Sequence, residues 1–560
     1  MKITNRLQTD VLIIGAGGAG LRAALAAAEA GSQVILTNKG PVAKSGITLT
    51  AAGGMQAPFH PTDSADHYFA DTVKYGYGLA DQNLVRVLAD DACDRASDAE
   101  RYGARFTLDD AGNYALGQFP GQSKPRNLFF KGGGVGLAAA LAKSCRANDN
   151  ISIIDDFFIT GLVKAPSASK IAIAGALGLN LKTGELTLIV AKAVVMATGG
   201  CQWLWEINDC PTDATGDGII YAYRAGAELV DMEMVLFYPS VIVWPPSLKG
   251  AFVHYEFLDQ AILDGNIYDK NGDTIFPKPL PVRDEAMRMM DKAIRDGRGT
   301  PHGGLLWYVG DSPKGPEAVH NKLNIAQYNY IRSHGVEPST AKIEVAPGAH
   351  YLMGGIYIDE RCQTTLPGLF ATPECAGNFD GANRLAGSGI TAIQVFGAKA
   401  GVSAHEWATA NDYTDGDPTS LAEETARVAD RLTARQSAGA SIKVLQDRLR
   451  SAVQKGAGVT RDAAGLKQLQ HIAKEVQSEL APVKVPATTV YNQHLVDVLQ
   501  LEIMCEVALL VGASALLREE SRGHHFRTDF PQQHADWRKH TLVSKGEDGP
   551  KLNSKPVIEL

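Results

Sequence analysis

No two cysteines in this chain stand at C-x-x-C spacing. All seven are scattered singly, at positions 93, 145, 201, 210, 362, 375 and 505. That spacing excludes a zinc ribbon or an iron–sulfur cluster built on a local cysteine motif. Dispersed thiols are expected of a reducing compartment. Long apolar runs are missing too. The stretch at residues 508–517 ends at Arg518, well short of the ~20 residues that span a bilayer. The N-terminus enters a strand pattern without an apolar signal region or twin arginine. Nor is there a surplus of basic charge. The net charge of −8 arises from 54 Lys and Arg against 62 Asp and Glu, mixed along the chain, which argues against a nucleic-acid binder. The expectation is a cytoplasmic chain with no metal site of its own, no direct membrane insertion, and membrane association only through partner subunits.

What is present is material for several domains. The chain has 560 residues, 45% of them apolar and 21% charged, and this length suggests two to four domains. Residues 10–14 read as a buried strand, 21–29 as an alanine-rich helix and 32–36 as a second strand, a βαβ opening. Residues 151–188 read as short strands, and 193–197 as another buried strand. Between 236 and 350 prolines cluster around one helical segment, residues 284–296, which marks an inserted domain. From Pro418 the pattern is helical, with Leu495, Leu499, Ile503, Val507 and Leu510 forming an apolar stripe. The last 35 or so residues are polar and read as an irregular wrapping tail.

Gly15-Ala16-Gly17-Gly18-Ala19-Gly20 matches G-x-G-x-x-G between a strand and a helix. The first glycine serves the tight turn, the second lets the backbone approach a pyrophosphate, and the third lets helix and strand pack closely. The second strand ends in Thr37-Asn38-Lys39, without the acid that grips an NAD ribose. Ala197-Thr198-Gly199-Gly200 ends a later strand, and such a turn passes close to a nucleotide where bulk is excluded. Thr215-Gly216-Asp217-Gly218 and Glu374 follow in order.

Further segments resemble one family. His350-Tyr351-Leu352-Met353-Gly354-Gly355-Ile356 resembles an H-Y-x-M-G-G-I motif, and Gly381-Ala382-Asn383-Arg384-Leu385 matches G-A-N-R-L. Pro281-Val282-Arg283-Asp284 stands where that family carries its catalytic arginine. Glu520-Ser521-Arg522-Gly523 with His525, and residues 537–542, resemble its late segments. The chain resembles the flavoproteins of succinate dehydrogenase and fumarate reductase over nearly its whole length, with L-aspartate oxidase as a relative.

The resemblance implies an α/β fold: a Rossmann-like FAD-binding domain with an inserted α+β capping domain and a C-terminal helical domain. The expected boundaries are 1–235 and 351–412 for the FAD-binding domain, 236–350 for the cap, 413–520 for the helical domain and 521–560 for the tail. It also implies hydride transfer between flavin N5 and the C=C bond of a small α,β-unsaturated carboxylic acid, with electrons exchanged through an iron–sulfur subunit. Arg283 would move the proton, His350 and Arg384 would hold a carboxylate, and Tyr238 would line the substrate. FAD would be held by Gly15, Gly17, Gly20, Thr37, Lys39, Ser45, Gly53, Gly54, Thr198, Gly199, Asp217, Glu374, Ser388 and Ile390.

Departures from the family pattern qualify the substrate. Ile47 stands where members with covalent flavin carry histidine, which implies non-covalent FAD and, within this family, a bias toward reduction. The F-H-P-T motif appears as Phe237-Tyr238-Pro239-Ser240, and tyrosine cannot carry the positive charge of histidine. The T-E-G-x-R-G-E-G-G segment is largely replaced over residues 255–265. One carboxylate grip therefore looks intact and the other rebuilt. L-Aspartate oxidase is a competing reading, although Phe119-Pro120-Gly121-Gln122-Ser123 lacks its acidic residue. So are an electron-transfer flavoprotein and a chain of the adenylylsulfate reductase type.

Overall fold

The computed structural model describes every residue except 1, 171 and 434–440. Its centre is a seven-stranded sheet. The strand Ile3–Ile14 lies between Val34–Thr37 and Leu186–Met196, parallel to both, and Ile151–Ile154 extends the parallel edge. The C-terminal ends of the two long strands are apolar and buried on both faces, as a covered parallel sheet requires. Ile173–Asn180 and Phe157–Lys164 continue the sheet in antiparallel pairing, and Leu369–Ala371 adds in parallel to Leu186–Met196. The alanine-rich helix Gly18–Glu29 is almost wholly buried, between this sheet and the long helix Ser388–Ala410.

Two strands, Val235–Trp244 and Ile343–Leu352, run side by side out of this body and pair antiparallel. With Leu305–Tyr308 and Asn266–Tyr268 they make a four-stranded sheet. The helix Arg283–Ala293 packs on both long strands. This region has an apolar core of its own, with Val241, Ile242, Trp307 and Val345 at its heart. Two further helices, Pro316–Lys322 and Ala326–Ser333, complete it. Their polar, turn-rich sequence hides them, although Pro316 stands at the first helical position, where its fixed φ suits a helix start.

Three helices, Ile442–Gly456, Ala463–Leu480 and Gln493–Leu517, pack as a bundle. The apolar stripe predicted in the last helix is buried throughout. Among the described residues no helix is long and apolar enough to cross a membrane.

The C-terminal residues correct the sequence reading. Instead of an irregular tail, Lys539–Lys545 and Pro550–Pro556 form a hairpin that joins Leu229–Val230 and Gly355–Ile356 in a second four-stranded sheet. The hairpin looks polar because its inward side chains meet buried acids. His540 Nδ1 lies 2.5 Å from Asp231, and the Thr541 hydroxyl donates to Glu233 at 2.7 Å. Polar groups are buried where each finds a partner.

Candidate active site

The glycine-rich turn sits at the C-terminal edge of the parallel strands. Gly15 has φ of 103°, and a Cβ there would stand 2.3 Å from the Ala197 carbonyl. A Cβ on Gly20 would stand 1.8 Å from the Gly15 carbonyl. Only glycine allows this turn, and the first helical turn carries no acid to compete with a bound anion. Asn38 steadies the turn by accepting from the Ala16 N–H at 3.1 Å. Lys39 reaches Asp217 at 2.7 Å and Thr215 at 3.2 Å, tying the second strand to the helix Asp217–Ala225.

From this turn one continuous cavity runs past Ser45, Ile47, Gly53, Thr198, Gly199, Glu374 and Ile390 to a cluster of charged and aromatic groups under the second sheet. Arg283 opens its helix there and is buried. Its guanidinium donates to Glu256 at 2.6 Å and lies 5.2 Å above the Tyr238 ring. The Tyr238 hydroxyl donates to the other oxygen of Glu256, also at 2.6 Å. Burial alone would raise the Glu256 pKa, but Arg283 and Tyr238 hold it below the usual carboxylate value. Burial opposes the charge on Arg283, and Glu256 overcomes that and raises its pKa further. The pair is therefore carboxylate and guanidinium.

His350 lies against the Tyr238 ring, 5.2 Å between centroids, and its Nδ1 meets Asp209 at 2.7 Å. That contact fixes the ring in the cavity wall. Arg384 also lines the cavity and stacks over Tyr351 at 4.3 Å, with its buried Nε lacking a partner among the described residues. Asp284 joins the two bodies. It accepts from the Tyr77 hydroxyl at 2.8 Å and from Asn383 at 3.3 Å. Burial pushes Glu374 up to about 7, although Gln202 donates to it, and burial likewise pushes Asp380 up to about 7.

Comparison with known proteins agrees with this geometry. A model described as FAD binding domain matches residues 10–390, and one described as fumarate reductase flavoprotein C-term matches 446–559. The chain belongs to the fumarate reductase/succinate dehydrogenase flavoprotein family. It is an FAD-dependent oxidoreductase. A fumarate reductase (CoM/CoB) subunit of Methanothermobacter marburgensis is 34% identical over 548 residues, covering 96% of this chain and 97% of the relative. The fumarate reductase flavoprotein subunit of Escherichia coli K12 is 29% identical, covering 97% and 92%. A solved E. coli quinol fumarate reductase chain superposes with a TM-score of 0.89 at 28% identity, covering 100% and 98%. An adenylylsulfate reductase at 18% identity and TM-score 0.78 shows the fold alone.

The cavity fits FAD on its own evidence. It begins at a turn where a side chain on Gly15 would collide with the Ala197 backbone, and the buried Thr372 hydroxyl on its wall lacks a partner among the described residues. In this flavoprotein the cavity wall includes Tyr238, Arg283, His350 and Arg384 together with Gly15, Gly17, Thr37, Lys39, Ser45, Gly53, Gly54, Thr198, Gly199, Asp217, Glu374 and Ile390. Two expected contacts lie elsewhere. Gly20 packs behind the turn, the role its position in the motif gives it. Ser388 does not line the cavity: its hydroxyl turns to Tyr68 at 2.8 Å and to Gln56 at 3.4 Å, because it begins a helix that packs on both.

Sequence reasoning missed Glu256, Asp209, Phe252 and His254, all on the cavity wall. Glu256 falls in the segment read as replaced. An acid inside the apolar run Tyr255-Glu256-Phe257-Leu258 was the available signal, since buried acids require partners. Asp209 carries no local signal, for its partner is 141 residues away.

Proposed function

We propose that this flavoprotein, with FAD bound non-covalently, reduces the C=C bond of an α,β-unsaturated carboxylic acid of the fumarate type. Arg283 supplies the proton, and His350 and Arg384 grip the carboxylate. The observation that carries this reading is the Arg283–Glu256–Tyr238 cluster, which faces His350 in the cavity that begins at the glycine turn. Ile47 lines that cavity without an atom able to bond to a flavin, which supports non-covalent binding.

Bound FAD supplies the hydride that reaches the β-carbon. The chain's residues do the rest. His350, oriented by Asp209, and Arg384, whose guanidinium has no carboxylate partner among the described residues, draw negative charge toward the gripped carboxylate as it builds at the α-carbon. Arg283 then releases a proton to the α-carbon. A guanidinium is a weak acid, with pKa above about 12, but the carbanion-like α-carbon is the stronger base. Glu256 lies against the donor and is positioned to return the proton. The wall of aromatic rings excludes water and strengthens each of these interactions. The division into an FAD-binding domain at 1–235 and 351–412, a cap at 236–350, a helical domain at 413–520 and a terminal segment at 521–560 belongs to the same reading. So does an iron–sulfur partner. The relatives are named as subunits, and no cysteine pair here has cluster spacing.

The test is anaerobic. The flavin is reduced with dithionite, excess reductant is removed, and recovery of the ~450 nm band of a bound flavin is followed after mixing with fumarate and with other enoates. Recovery with an enoate supports the reading. Recovery with ferricyanide but with no enoate overturns it.

A further inference from the structure

The substrate end of the cavity is lined by His350 and Arg384 together with an aromatic wall of Tyr238, Phe252, His254 and Glu256; His350 packs on that wall, 5.2 Å from the Tyr238 ring and 6.3 Å from the Phe252 ring between centroids. The rings of the wall touch one another, with Tyr238 and Phe252 centroids 5.2 Å apart and Phe252 and His254 5.7 Å apart. Nearly every polar hydrogen of this wall and its supports is already used. The Tyr238 hydroxyl donates to Glu256 and accepts the Tyr255 N–H at 3.1 Å. Ser240 donates to the Val253 carbonyl at 2.6 Å, and the Tyr255 hydroxyl donates to the Pro281 carbonyl. The His254 N–H goes to the Tyr328 hydroxyl at 3.0 Å, and a ring nitrogen of His254 lies 3.2 Å from that same hydroxyl. Burial pushes His254 down to about 4, so the ring is neutral and offers the cavity at most one uncharged N–H.

Charge tells the same story. The cation of this wall, Arg283, is paired with Glu256. The Lys322 ammonium, 4.8 Å from the Phe257 ring, is not part of the lining. Glu256 matches Arg283, whereas the Arg384 guanidinium lines the cavity with no carboxylate ion-paired to it among the described residues. A single substrate carboxylate in the His350–Arg384 grip meets that charge. A second carboxylate would face Glu256, three aromatic rings and a guanidinium whose charge Glu256 already matches.

We propose that the site takes α,β-unsaturated monocarboxylates whose β-carbon bears an uncharged group, in preference to dicarboxylates. This rests on the reduction proposed above and leaves its balance unchanged: the C=C bond gains a hydride from reduced FAD and a proton from Arg283. The neutral His254 N–H suits a carbonyl or amide on that β-substituent better than an anion.

The experiment compares fumarate with its monoamide, fumaramate, which has nearly the same shape and activation but one charge fewer. Second-order rate constants for reoxidation of the reduced holoprotein are measured for both. Binding of the saturated pair, succinate and succinamate, to the oxidised holoprotein is read from the perturbed flavin spectrum. An unpaired buried charge is costly, so fumaramate should exceed fumarate by about tenfold or more, and succinamate should bind more tightly than succinate. The variant Tyr238→His should move both ratios toward the dicarboxylate. A fumaramate-to-fumarate ratio of three or less in the unmodified protein overturns this proposal while leaving the reductase reading intact. Failure of both enoates to reoxidise the flavin, with ferricyanide still effective, overturns the reductase reading itself.

Discussion

Two clusters of buried charge in this molecule look alike and are built to opposite ends. Under the C-terminal hairpin, Arg518 donates to Glu233, Asp231 and Glu520 and to the carbonyls of Trp537 and Lys539. Those contacts engage all three of its nitrogens. In the cavity, the guanidinium of Arg283 makes one hydrogen bond among the described residues, to Glu256. Both arginines are buried and both are charged. The first is saturated by protein and holds elements together. The second lines the cavity and keeps donors that no described residue takes up. Between these two arginines the difference is satisfaction, not burial or charge.

The sharpest way to break this contrast is at Arg283. Arg283→Lys keeps the positive charge beside Glu256 but loses the fork that serves Glu256 and substrate together. Turnover should fall by about a thousandfold, within the range for a lost acid catalyst, while the flavin-to-protein ratio stays at that of the parent. Retention of a tenth of the activity would remove Arg283 from the chemistry.

Next in size is a pH effect confined to the structural cluster. Burial alone would lower the pKa of His540, but Asp231 and Asp81 outweigh it and raise the value to about 9. The folded state binds this proton more tightly than the unfolded chain does. The resulting stability is fully present below about 6.5, the unfolded value, and is lost as pH rises through about 9. It amounts to something on the order of 3 kcal/mol. Urea unfolding at a series of pH values from 6 to 10 should therefore show a steeper alkaline loss for the parent than for His540→Gln. Parallel curves would mean that the imidazole carries no charge there.

Asp209 tests the grip. Asp209→Asn leaves the shape but removes the anion that orients His350, so KM for the enoate should rise about ten- to hundredfold with a smaller fall in kcat. The smallest expected effect is at Tyr255, whose hydroxyl donates to the Pro281 carbonyl just before the Arg283 helix. Tyr255→Phe should cost about 1 kcal/mol of stability and lower kcat/KM only a few-fold, measured by thermal unfolding and steady-state kinetics.

How far the sequence could be read depends on the range of the contacts involved. The nucleotide turn is local: within the six consecutive residues Gly15 to Gly20, the first and last positions tolerate only glycine, and the structure holds the turn against Ala197. The parallel strands and the buried helical stripe were legible for the same reason, because their periodicity lies within a single element. The cavity's far end depends on partners distant in the chain. Glu256 gains its meaning from Arg283, 27 residues away, and Asp209 from His350, 141 away. The motifs brought His350, Arg283 and Arg384 into view only through resemblance. They also suggested a flavin contact for Ser388, which instead binds Tyr68 and Gln56. The C-terminal hairpin was illegible because its inward residues are polar, and their acceptors Asp231 and Glu233 lie some 300 residues earlier.

The two strands that carry the second sheet out of the body, Val235–Trp244 and Ile343–Leu352, are bonded to each other along their length. Two adjacent tethers act as a door on a pair of hinges: tilt is easy and twist is resisted. Tyr238, Arg283 and His350 ride on the door, whereas Arg384 stays on the frame. The carboxylate grip is thus divided across the opening. On the proposed reading, any tilt that parts door from frame would also part the two halves of the grip, so seizing the substrate and sealing it from water would be a single event.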